Sequence, residues 1–235
     1  LQGYCGTFPT RHKLWIQGCS HTPCCAFCPN VYEDMSHWQC ICPQFRESRV
    51  AAHNFIWTVL ANKLTATSPS FTIELERPMR NTKLKVHPKF QHWQPDGIAY
   101  GPDNLIFLLE FTRCSDTRQS KILEALERKE IKYAPLLQSI QDLNPTKRVQ
   151  LLTFSVGYLG TLDMDTFLDH LRLLDIPDEH HRSILQSTIT ATMSSFSKMA
   201  TERTVAINTA APRINPCAWK GQHKAVPRAR RPRPI

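Results

Sequence analysis

The chain has 235 residues, enough for one domain with a real core plus appendages. No stretch approaches the roughly 20 apolar residues of a membrane span, and the start carries no signal-peptide pattern. The net charge is +9, but six of the positive charges lie at Lys220, Lys224, Arg228, Arg230, Arg231 and Arg233 with no acid among them, so the rest of the chain is only mildly basic.

A tail of that kind suits nucleic acid or nuclear import; the alternative is a solvated disordered end. The first residue is Leu1 rather than Met, so the chain reads as a fragment.

Residues 1–48 are Cys-rich. Of nine cysteines, Cys19, Cys24, Cys25, Cys28, Cys40 and Cys42 crowd this region. Without an export signal, metal binding in a reducing compartment is the better reading than a disulfide scaffold. Cys25-x2-Cys28-x8-His37-x4-Cys42 has the ligand types and short loops of a tetrahedral zinc site. Cysteines two apart present both sulfurs to one metal, and His37 and Cys42 close the shell. Four protein ligands leave no open position for water, so this zinc is expected to be structural. Cys24 and Cys40 are rival ligands, and a cluster of buried thiols is the alternative to a metal site.

Residues 49–160 read as a core. Arg49 to Leu64 is predicted helical, with Val50, Ile56, Val59, Leu60 and Leu64 on a stripe. Phe71 to Leu75 alternates as a strand. Residues 77–92 are polar, with Pro78 and Pro88, and read as a loop or irregular strand. Gln94 to Tyr100 reads as a second strand. Gly101-Pro102-Asp103-Asn104 is a turn signal, and Leu105 to Arg113 is a third strand, apolar on both faces and so central. Arg118 to Tyr133 reads as a charged helix, with Leu123, Leu126, Tyr133, Leu137 and Ile140 on one side and Pro135 expected to kink or split it. Val149 to Val156 is a fourth strand. The order helix, three strands, helix, strand gives a mixed α/β sheet with helices on its faces.

Residues 161–205 read as a helical extension, with helices at 163–174 and 178–199; the second carries Leu185, Ile189, Met193, Phe196 and Met199 at helical spacing. Residues 206–235 form a basic, Pro-rich tail expected to be disordered.

Two acids stand out in the core. Asp96 follows Pro95 at the start of one strand, and Glu110 lies inside the apolar run Leu105 to Phe111. A buried carboxylate is costly unless paired or metal-bound. On adjacent strands, Asp96 and Glu110 are candidates to chelate Mg2+, the cation that activates water for phosphodiester hydrolysis. The alternative is a turn Asp and a strand-edge Glu. The position two after Glu110 is Thr112, which supplies no positive charge. Lys129 and Lys132, three apart on one helix face, are the replacement candidates, with Lys121 and Arg113 behind them. Trp38, Trp57 and Trp93 read as core or interface residues, with base stacking as the alternative.

In this order the motifs resemble the C-terminal part of site-specific non-LTR retrotransposon proteins, which carry a restriction-enzyme-like endonuclease downstream of a reverse transcriptase. Gly6-Thr7-Phe8-Pro9-Thr10 looks like the stretch ahead of the family's knuckle. Cys25, Cys28, His37 and Cys42 look like its CCHC knuckle. Arg49 with His53-Asn54 looks like its basic-His-Asn motif, spread by two alanines. Asp96, Glu110 and Lys129-x-x-Lys132-Tyr133 look like its catalytic elements. The likeness covers roughly residues 1–160.

It implies a PD-(D/E)xK core (αβββαβ) behind an N-terminal knuckle, and Mg2+-dependent nicking of target DNA in the nucleus. It also implies nucleic-acid contacts from Arg49, His53 and Asn54, and a reverse transcriptase module upstream that this chain does not contain. A zinc-containing DNA- or RNA-binding module that has lost catalysis is the rival expectation.

Overall fold

A computed structural model describes residues 8–118 and 120–210. The Gly6-Thr7 pair and the six cations between Lys220 and Arg233 lie outside the described residues. The fold is mixed α/β, built on a four-stranded sheet in the order β1-β2-β3-β4. The strands are β1 (Thr72–Leu75), β2 (Gly97–Tyr100), β3 (Leu105–Cys114) and β4 (Arg148–Gly157). The first three form an antiparallel meander, and β3 pairs β4 in parallel. A parallel partner requires a crossover, here the helix α3 (Ser120–Leu143).

β3 is central because it is apolar on both faces. Phe107, Leu109 and Phe111 enter one core with Ile56, Trp57, Leu60 and Leu64 of α2 (Arg46–Thr67) and with Phe167 and Leu171 of α4 (Met164–Leu173). Ile106 and Leu108 enter a second core with Tyr133, Leu136 and Ile140 of α3. This is the strand alternation of side chains between faces, with both faces covered. Glu110 belongs to the α3 face.

Several elements depart from the sequence reading. The second strand starts at Gly97, so Asp96 sits just before it, at the strand's mouth. The polar segment 77–92 supplies Met79, Leu84 and Phe90 to the α3-side core; isolated apolar residues in short 3-10 turns give no period to read. Pro135 does not split α3. A proline removes the bond to the carbonyl four residues back, and that residue, Ile131, is exposed, where water can replace it. Leu123 is exposed, and the buried line runs instead through Ile122 and Ala125.

The last helix, α5 (Asp178–Ala210), continues into the segment read as tail. Its buried face uses Thr188 and Thr192, which bond back to the carbonyls of Ile184 and Thr188. The polar side chains are satisfied locally, so the stripe is wider than its apolar residues suggest.

The Cys-rich region, with the short helix α1 (Arg11–Ile16) capped by Thr10, packs at one end. Trp38, Phe45, Ala52, Tyr158, Phe196 and Met199 form its core with Cys25 and Cys42. A buried ion pair between Glu33 and Arg203 ties it to α5. No helix among the described residues is long and apolar enough to cross a membrane.

Candidate functional site

β2 and β3 pair with Gly97 opposite Leu109, so the next residues outward, Asp96 and Glu110, face each other. Glu110 Oε1 accepts the Asp96 amide at 3.3 Å. Asp96 Oδ2 accepts the Phe111 amide at 2.7 Å. The two carboxylates therefore converge at the mouth of β2.

Asp96 is braced from α2. His53 Nε2 lies 3.5 Å from Asp96 Oδ1, and the Trp57 indole donates to the Asp96 carbonyl at 3.1 Å. Burial pushes the Asp96 pKa up, but the hydrogen bonds from His53 and the Phe111 amide, with the charge of Lys129, outweigh it and leave it below the ordinary value. Asp96 is thus held ionised, and its side chain keeps 21% exposure.

Glu110 is only 1% exposed. Lys129 Nζ donates to its Oε2 at 2.5 Å. Tyr133, one turn further along α3, lies near Glu110; burial and that carboxylate push the phenol well above its ordinary pKa, so it stays neutral. Lys132 forms no ion pair with either carboxylate. It donates to the Tyr133 hydroxyl at 3.1 Å and lies over the Tyr133 and Trp93 rings. Lys121 pairs with Glu124 at 2.7 Å. Of the candidate cations, Lys129 is the one in contact with the acidic pair.

The second site is the Cys/His cluster. One ligand atom each from Cys25, Cys28, His37 and Cys42 lies within 4.8 Å of the others. Cys42 Sγ is 3.8 Å from Cys25 Sγ and 3.6 Å from Cys28 Sγ. A tetrahedral zinc with bonds of about 2.3 Å would set sulfurs roughly 3.8 Å apart, so the spacing fits. His37 Nε2 is buried with no hydrogen-bond partner, as a ligand nitrogen is before metal binds. Burial lowers the His37 pKa, favouring the neutral imidazole that coordinates. Burial pushes the Cys25 thiol up to about 11 and raises those of Cys28 and Cys42, so a metal would have to displace protons.

Of the rival ligands, Cys24 forms a backbone bridge with Tyr32. Cys40 faces Arg113 and Arg49 instead. The Cys3His cluster can bind a metal such as zinc.

Among the nucleic-acid candidates, Arg49 Nη1 donates to the Cys42 carbonyl, which fastens α2 to the knuckle. His53 turns inward to Asp96. Asn54 is exposed on the neighbouring face. Trp38 and Trp57 are buried and offer no face to a base, while Trp93 is half-buried against Phe90 and Tyr133.

Sequence reasoning missed two contacts. Trp57 supports Asp96 through its indole N–H rather than only by packing. Gln39 accepts a hydrogen bond from Arg113 across the fold; a contact between residues so far apart in the chain leaves no local signal. No family model matches the sequence, and no curated protein matches it either.

Proposed function

We propose that this chain is a metal-dependent DNA endonuclease domain of the PD-(D/E)xK type, with a structural zinc knuckle, derived from a retrotransposon protein. The observation that carries the reading is the meeting of Asp96, Glu110 and Lys129 at the mouth of β2. The mixed sheet with its helical crossover suits such a core.

Asp96 and Glu110 are the residues that would hold Mg2+. The donor set fits a hard cation, which takes oxygen ligands: Asp96 is ionised and reaches solvent, and each carboxylate retains lone pairs beyond its present bonds. When bound, Mg2+ lowers the pKa of a coordinated water and offsets charge growing on the phosphate.

The protein's own groups do the rest. His53 and the Phe111 amide fix the orientation of Asp96. Lys129 balances the buried charge of Glu110 and sets its ammonium beside the reacting centre, where it can steady a phosphate oxygen or orient the attacking water. Lys132 supports the site through Tyr133. Nicking would leave a 3′ hydroxyl, the primer that the resemblance implies for reverse transcription. Chromosomal DNA as substrate would place the protein in the nucleus.

One observation favours the rival reading. Thr112 carries no charge, and Lys129 is engaged with Glu110. A module that has lost catalysis would keep the fold, the knuckle and salt-dependent binding to DNA or RNA. Supercoiled plasmid incubated with Mg2+ or Mn2+ separates the two. The nuclease nicks it and EDTA stops the reaction; the binding module retains the DNA uncut.

A further inference from the structure

Between the knuckle and the sheet lies a recess of about 260 Å3 walled by Gln39, Cys40, Arg46, Arg49, His53 and Arg113. Two of its arginines, Arg49 and Arg113, are anchored rather than loose. Arg49 is tied to the Cys42 carbonyl, and Arg113, near the end of β3, donates through Nη2 to Gln39 Oε1 in the π-helical turn His37–Ile41. Arg113 Nε is buried with no hydrogen-bond partner.

Among the described residues no carboxylate forms an ion pair with Arg49 or Arg113. Burial and the neighbouring Arg49 work against the Arg113 charge, while Asp116 works for it. Asp116 commits Oδ2 to the Leu159 amide and the Thr161 hydroxyl and keeps a buried, unpartnered Oδ1, so it favours the Arg113 charge from beyond ion-pair contact.

Two fixed guanidinium groups side by side with no carboxylate in contact are unfavourable in the free protein. Planar, donor-rich and permanently charged, they suit a phosphate oxygen pair. His53 closes the recess on one side and touches Asp96 on the other, so the recess is one side chain from the acidic pair.

We propose that Arg113, held by Gln39 and acting with Arg49, forms a phosphate subsite for a nucleic-acid backbone phosphate flanking the acidic pair, and that the knuckle sets its geometry. The source of that phosphate rests on the nuclease reading; the anion site itself does not. Arg113 also lines the larger adjoining recess of about 570 Å3, whose wall includes Arg128, Lys129 and the Lys121–Glu124 pair, so further cations lie beside the subsite.

The test is equilibrium binding of the full zinc-loaded chain to a fluorescently labelled DNA duplex across a salt series. Arg113→Gln is expected to weaken binding about tenfold and to flatten the log–log salt slope by about one. Arg113→Lys should restore the slope but not the full affinity. Gln39→Leu keeps both charges and should weaken binding less than Arg113→Gln. If Arg113→Gln does not fold, as judged by urea unfolding, Arg49→Gln replaces it with the same expectation.

Wild-type affinity and slope in the folded variant overturn the proposal. Plasmid nicking is scored in parallel. Unchanged binding with nicking intact in the parent sinks the subsite alone. Weakened binding with no nicking by the parent sinks the nuclease reading and leaves the subsite standing.

Discussion

Glu110 is the residue on which the site's energetics turn. Its carboxylate is buried, and Lys129 and Tyr133 are the side chains that balance it. Removing one partner of a buried pair strands the other. Lys129→Met should therefore destabilise the fold by about 2–3 kcal/mol, measured as a urea midpoint, while the double variant with Glu110→Gln should recover most of that loss. Additive losses would mean the pair contributes nothing at neutral pH.

Both acids were legible in the sequence, one because it interrupts an apolar run and the other because it follows a proline at a strand start. The choice between Lys129 and Lys132 was not. Residues four apart share a helix face, and the burial of Tyr133 is what turns Lys129 toward the sheet. That fact belongs to packing. The role of Gln39 had no local trace at all.

The knuckle and the helices behave as separable units with different vulnerabilities. Cys25 and Cys42 sit in the core that joins the Cys-rich region to α2 and α5, and Cys28 packs against it. Binding of metal to a site of this kind is folding free energy. Chelation should raise hydrogen exchange in residues 24–45 sharply while β3 and β4 keep their protection. Elemental analysis should find one zinc per folded chain, and full protection after chelation would refute a metal-dependent knuckle.

In the core on the α2 side of the sheet, His170 of α4 packs edge-on against Phe154, and burial pushes its pKa down to about 4. The folded state resists protonating this ring and the unfolded state does not. Stability should accordingly fall as pH drops from about 6.5 through 4, as His170 in the unfolded chain takes up its proton first. His170→Leu should flatten that part of the pH–stability curve; an unchanged slope would place the titration elsewhere.

The strands and long helices were legible because alternation survives in β1, an unbroken apolar run marks β3 and a 3.6-residue stripe marks α2. The buried loop 77–92 and the threonine-rich face of α5 were not, because tertiary packing and backbone bonds decide their burial.

Taken across all layers, the molecule places an acidic pair at one end of a mixed sheet, braces it from helices on both faces, and sets a Cys/His cluster and anchored arginines beside it. The layer order followed from the succession of elements, since a meander followed by a long helix and a parallel strand allows few arrangements. How the Cys-rich region docks did not, because Trp38, Tyr158 and Phe196 meet from distant parts of the chain.

The central claim is that Asp96 and Glu110 act together on a phosphodiester. Its most direct test is conversion of supercoiled plasmid to open circle by the zinc-loaded chain in Mg2+, beside Asp96→Ala at equal folded concentration. The account predicts nicking that EDTA abolishes and that Asp96→Ala lowers at least about 100-fold. A folded chain that leaves plasmid intact in both Mg2+ and Mn2+, or an Asp96→Ala variant that nicks at the parent's rate, would contradict it.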